Sequence, residues 1–263
     1  MEIPIQIDVS GESVLGVMHL PNQKAKGSPV AIMFYGFNGE RVDNNRISVL
    51  CGRRAEECGV TYVRFDYRGL GLSEGEFWNT SLDTKLEDAV AVIESVKELL
   101  GPDISIIALG FSDGVRIVTR LMKVCPDIKG LCLWSPVLFS ITDEVHGKIR
   151  RKFYREPTTK QLVSQHRGLW VGQQYLRQLS ATDHEFDSIT DSNKQIVAIF
   201  GGNDPTIRET QSELHRLAET GSDNIHAILI PDADHLFSEA KWIDQIIGET
   251  VRWALEIGAS EIM

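Results

Sequence analysis

Cysteine is scarce in this chain. There are four residues, Cys51, Cys58, Cys125 and Cys132, with no CxxC pair among them. No histidine cluster completes a zinc pattern, so neither a metal site nor a disulfide framework is expected. The four read as small buried hydrophobes of a reducing compartment. Long apolar runs are missing too. None approaches the roughly 20 residues of a membrane span. The opening MEIPIQIDVS carries carboxylates where a secretory leader has a basic stretch followed by an apolar one. A soluble, cytoplasmic protein is therefore expected. Positive charge is in deficit: the formal net charge is −10, which argues against a general nucleic-acid binder. Nothing suggests a nucleotide, flavin or metal, so no cofactor is expected. There is no internal repeat or linker, and nothing specifies an oligomeric state.

What remains is an ordinary globular composition, 42% hydrophobic and 24% charged over 263 residues, ample for a sizeable core. Ile3 to His19 alternates weakly around Ser10-Gly11-Glu12 and reads as an antiparallel hairpin. Continuous apolar runs at 29–35, 60–65, 104–109, 128–134, 195–200 and 225–230 read as strands buried on both faces. Helical segments separate them at about 44–58, 82–100, 114–124, 207–219 and 239–256. On the second of these, Leu82, Leu86, Ala89, Val90, Ile93, Val96 and Leu100 form the apolar face. Such alternation means right-handed βαβ units and a mostly parallel central sheet flanked by helices. Between Trp134 and Gln195 no strand is expected, only polar and helical sequence. Residues 138–191 are expected to form a helical cap on a core made of 1–137 and 192–263.

The strongest chemical signal is Gly110-Phe111-Ser112-Asp113-Gly114. It follows a buried strand and opens a helix, which is the context a nucleophile elbow needs. Side chains at 110 and 114 would collide with neighbouring backbone in so tight a turn. A serine hydroxyl is a weak nucleophile until a base takes its proton. Of seven histidines, His19 and His226 fall in predicted strands, His215 in a helix, and His146, His166 and His184 in the insertion. His235 alone lies in a loop after the last strand, at the carboxyl end of the sheet, where sites of open α/β folds gather. Asp204, in Gly201-Gly202-Asn203-Asp204, ends the preceding strand and is the candidate acid. Asp232 and Asp234 are nearer in sequence to His235, but they read as residues that shape its loop. The oxyanion hole should use the backbone N–H of Asp113 and that of Phe37, from the loop after the strand at 29–35.

Together with Tyr35-Gly36-Phe37-Asn38-Gly39 and Asp66-Tyr67-Arg68-Gly69-Leu70-Gly71-Leu72-Ser73, these motifs resemble the α/β-hydrolase superfamily, and within it the cinnamoyl-esterase and serine-aminopeptidase-like group. They span nearly the whole chain apart from the insertion. The resemblance implies the α/β-hydrolase fold and hydrolysis through an acyl-enzyme. The chain departs from the family's pattern in two ways. Tyr35 stands where a His usually precedes Gly-Phe, and Phe111 and Asp113 flank the serine in place of His and Gln or Met. The Asp113 carboxylate either opposes charge developing beside it or points away and offers only its N–H.

The insertion is expected to set substrate preference. From Lys148 to Lys160 there are six basic residues and one acid, Glu156. This run is either a solvated face or a dock for an anionic partner such as the arm of an acyl carrier. Leu169-Trp170-Val171 with Tyr175, Leu176 and Leu179 reads as an apolar helical face, with Trp170 and Tyr175 as candidate walls of a substrate pocket. The expected function is a serine hydrolase acting on a small acyl ester or thioester. The alternatives are an acyltransferase or acyl-carrier thioesterase, and a non-catalytic binding protein on the same fold.

Overall fold

The computed structural model describes residues 1–25, 27–137, 152–166, 168–180, 185–205, 208–219 and 223–260. Ser10 and Gly11 both take positive φ, 54° and 83°, as a two-residue hairpin turn of matching twist requires. They join β1 (Glu2–Val9) to β2 (Glu12–His19) in antiparallel register. β2 pairs antiparallel with β4 (Thr61–Phe65), and from there the sheet runs parallel through β3 (Val30–Phe34), β5 (Ile106–Phe111), β6 (Ile128–Trp134), β10 (Gln195–Gly201) and β11 (Ile225–Ile230). Every residue of β3, β4 and β5 is buried, which accounts for their unbroken apolar runs.

Helices cover this sheet: α1 (Ile47–Glu57), α2 (Leu82–Leu100), α3 (Val115–Val124), α6 (Arg208–Glu219) and α7 (Ala240–Ser260). α2 starts on a reciprocal cap between Ser81 and Thr84. Its buried face differs from the expected one. Leu82, Lys85, Asp88, Ala89, Val92, Ile93 and Val96 point inward, so two charged residues occupy positions an apolar count passes over.

The insertion corrects the sequence expectation. It is not purely helical: β7 (Phe153–Arg155), β8 (Leu162–His166) and β9 (Leu169–Gly172) form a separate antiparallel sheet, followed by α4 (Gln173–Ser180) and α5 (Glu185–Thr190). Residues 169–179 are thus a strand and a helix. The expected cap boundary at 138 and the basic residues at 148–151 lie outside the described residues. Lys152, Arg155 and Lys160, the rest of that basic run, lie on and beside β7.

Cys51, Cys125 and Cys132 are buried free thiols and Cys58 is half-buried. Among the described residues no helix is long and apolar enough to cross a membrane.

Candidate active site

The parallel strands all point their carboxyl ends to one edge, and the candidate residues sit there. β5 ends at Phe111, and Ser112 follows with φ 54°, a left-handed conformation that costs a non-glycine residue energy. The turn closes only because its neighbours lack side chains. A Cβ on Gly114 would lie 2.1 Å from the Phe34 carbonyl oxygen, and one on Gly110 would lie 3.0 Å from Val115 Cα.

Ser112 Oγ lies 2.8 Å from His235 Nε2. His235 Nδ1 is hydrogen-bonded to Asp204 Oδ2. Asp204 is buried, and its loop is stitched to the one that carries His235. Asn203 N–H donates to the Ala233 carbonyl at 2.9 Å, and the Asn203 side chain donates to the Asp232 carbonyl at 3.1 Å. This approach needs Gly201, whose Cβ would fall 2.5 Å from the Ala233 oxygen. Asp234 accepts from the N–H groups of Leu236 and Ser238, and Asp232 has φ 64°, so both shape the loop. Phe111 packs on the imidazole at 6.0 Å between centroids.

The loop after β3 lies against this elbow. A Cβ on Gly36 would be 3.2 Å from Ser112 Cβ and 3.5 Å from the Asp113 nitrogen. The Asp113 carboxylate is drawn off in another direction. Its Oδ1 accepts from Arg116 Nε at 2.7 Å and its Oδ2 from the Tyr175 hydroxyl at 3.0 Å. The carboxylate is thus turned toward Arg116 and Tyr175, and its negative charge is paired with a buried guanidinium.

Tyr175 and Trp170 take different places from those expected of pocket walls. Tyr175 is fully buried, stacks on Phe37 at 5.2 Å and packs edge-on to Phe77. Burial pushes its phenol well above the usual range, helped by the Asp113 charge. Trp170 lies on the outward face of β9, 37% exposed, with its ring against Tyr154. From the insertion's strands, His166 reaches Phe37, at 5.4 Å between ring centroids.

One residue was missed from sequence. Lys85, on the buried face of α2, donates from Nζ to the carbonyl oxygens of Gly36 (2.7 Å) and Phe37 (3.1 Å). The available signal was its spacing: three residues after Leu82 and four before Ala89, it had to point inward.

Among the described residues no group of three or more His, Cys, Asp or Glu could hold a metal ion. The arrangement can move a proton from a serine to an imidazole that a buried carboxylate orients.

A family model described as serine aminopeptidase, S33, matches residues 45–219, ending before the His235 loop. The chain is similar to the solved structure of Est1E from Butyrivibrio proteoclasticus with ferulic acid bound, at 22% identity, covering 97% of this chain and 99% of that one, with a TM-score of 0.76. It is also similar to the esterase domain of a Rhodothermus marinus protein (17% identity, 97% and 98% covered, TM-score 0.69). A third is the α/β hydrolase GrgF from Penicillium sp. sh18 (14% identity, 98% of each chain covered, TM-score 0.70). No curated protein matches the chain.

Proposed function

The chain belongs to the serine aminopeptidase S33 family of α/β hydrolases, and from that premise we propose that it cleaves a carboxylic ester or thioester through a Ser112–His235–Asp204 triad. The observation that carries this reading is the unbroken relay from Ser112 Oγ through the imidazole to Asp204. An Nδ1–H donated to Asp204 leaves the Nε2 lone pair facing the serine hydroxyl, the tautomer a general base needs. As Oγ attacks the acyl carbon, His235 takes its proton and Asp204 stabilises the imidazolium. The oxyanion is received by the N–H groups of Asp113 and Phe37. The imidazolium then protonates the leaving alkoxide or thiolate, and the acyl-enzyme forms. Water, deprotonated by the same imidazole, releases the acid and restores Ser112. The paired Asp113 charge supports this reading, since an unpaired carboxylate there would repel the anion. A vestigial, purely binding role gives no reason for the elbow to hold strain and the relay to stay in hydrogen-bond register.

The insertion, residues 138–191, serves in this reading as the cap over the serine. It meets the site through Tyr175 and His166 on Phe37.

A fluorophosphonate probe tests the nucleophile: the wild type should label and Ser112→Ala should not, with an unchanged fold. Labelling that survives the substitution would remove Ser112 from its role. A panel of p-nitrophenyl esters, a feruloyl ester and acyl thioesters of several lengths, some on an acyl carrier, then separates esterase from thioesterase action. The feruloyl ester is included because a structure of the same fold holds ferulic acid.

A further inference from the structure

We propose that Lys85 is the positioning residue of the oxyanion hole: it holds the Gly36 and Phe37 carbonyls, which fixes the direction of the Phe37 N–H, while Tyr175 braces the same loop against Asp113. This rests on the reading of Phe37 and Asp113 as the two donors.

A trans peptide is planar, and its C=O and N–H point in opposite directions; there is no cis bond among the described residues. The Gly36 carbonyl and the Phe37 N–H belong to one such plane. Tying the carbonyl to Lys85 at 2.7 Å therefore aims the N–H away from α2. The second bond, to the Phe37 carbonyl at 3.1 Å, fixes the following plane as well. Without the ammonium either plane could rotate and present an oxygen, an acceptor, where a donor is needed.

A lysine is an expensive choice for this place. It is 1% exposed, under the rings of Tyr67 and Tyr175 at 4.7 and 5.4 Å. Burial pulls its ammonium down to about 8, against the opposing pull of Asp113 and Asp88. An apolar side chain would fill the space at lower cost, but it could not hold two carbonyls.

Tyr175 closes the frame. Its ring lies nearly parallel to Phe37, 12° apart, and its hydroxyl donates to Asp113. One side chain of α4 thus touches both residues whose N–H groups form the hole. Gln178, one turn on, accepts from Leu82 N–H at 2.8 Å and donates to Asp83 at 2.6 Å. This ties α4 to the start of α2, one turn before Lys85.

The test compares Lys85→Met and Tyr175→Phe with the wild type in p-nitrophenyl butyrate turnover and in inhibition by an alkyl trifluoromethyl ketone, which forms a tetrahedral adduct on serine. Ester binding is measured separately on a Ser112→Ala background. Lys85→Met should lower kcat by about 10²–10³, the loss of one oxyanion donor, with KM within about threefold. Tyr175→Phe, the loss of one bond to a charged group, should lower kcat about tenfold. Ketone affinity should fall in proportion to kcat/KM in each variant, while ester binding on the Ser112→Ala background stays constant. A folded Lys85→Met with wild-type kcat, or one whose loss lies in KM alone, overturns the proposal. If Lys85→Met does not fold, an unchanged kcat and ketone affinity in Tyr175→Phe overturn it. A wild type without Ser112-dependent turnover overturns the functional reading itself, a separate outcome from either.

Discussion

At the scale of single residues, a carboxylate directly after the serine we propose as nucleophile is compatible with anion stabilisation only because its charge is paired elsewhere. Asp113 and Arg116 are one helical turn apart and both buried. Their geometry makes the pair costly to break: removing one member leaves a buried charge uncompensated, at about 3–5 kcal/mol. Arg116→Met should therefore unfold at distinctly lower urea than the wild type, and a midpoint within error of wild type would refute the pairing argument. Asp204→Asn probes a different role. The fold should survive, because an amide fits the same space, but turnover should drop by roughly 10⁴ through loss of the correct imidazole tautomer. Near-normal turnover would assign the orienting role to another carboxylate. Ser112, Asp204 and His235 were legible in the sequence because each follows the end of an apolar strand, and parallel strands bring such ends to one edge. Lys85 was not legible as part of the site. It acts on backbone carbonyls, which leave no trace in a pattern of side-chain types.

At the scale of elements, the Asp66–Ser73 loop shows how a distinctive motif can serve as a structural anchor. The Asp66 carboxylate is buried and accepts from the backbone N–H groups of Arg41 (2.7 Å) and Leu72 (2.9 Å), and it pairs with the Arg41 guanidinium. Arg68 carries the loop onto α2 through Asp88 at 2.6 Å. Gly71, at φ 55°, leaves room for this carboxylate: a Cβ there would lie 2.2 Å from Asp66 Oδ2. Gly71→Ala should cost about 2–4 kcal/mol, from left-handed strain and displacement of the anchor. Urea denaturation measures it, and a loss below about 1 kcal/mol would show that the loop relaxes freely. The parallel core was readable because its strands are unbroken apolar runs separated by helices of a different period. The small sheet of the insertion was not. β7, β8 and β9 are three, five and four residues long, too short for alternation to register. β9 also runs directly into α4, so Leu169 to Leu179 mimics one continuous helical face. The break falls at Gly172, whose Cβ would meet the Trp78 carbonyl oxygen at 2.3 Å.

At the scale of the whole molecule, the first sheet edge carries a pH sensitivity that the site does not require. His19 on β2 is fully buried. Its Nε2 accepts the Arg64 Nε–H at 2.8 Å, so the ring is neutral, with its proton on Nδ1 facing Glu56 at 3.6 Å. Gly52 of α1 makes room for it: a Cβ there would lie 2.6 Å from the ring. Burial first, then the Arg64 charge, pulls the His19 pKa down to about 4, against the opposing pull of Glu2 and Glu56. A histidine whose folded pKa is depressed supports the fold while neutral. Its contribution is whole above the unfolded pKa, about 6.5, and is lost as the pH falls toward 4. Between about pH 7 and about pH 4.5 the wild type should thus lose roughly 2 kcal/mol more stability than His19→Gln, which keeps an acceptor for Arg64 but does not titrate. Urea denaturation of both proteins at the two pH values measures the difference. Parallel losses would mean that His19 takes up its proton in the folded state as readily as in the unfolded chain. The hairpin, α1 and β4 all meet at this one ring, so charging it would strain the antiparallel edge of the sheet. The parallel strands that carry Ser112, Asp204 and His235 are built on other contacts, and acid loss of stability should therefore begin at the hairpin edge.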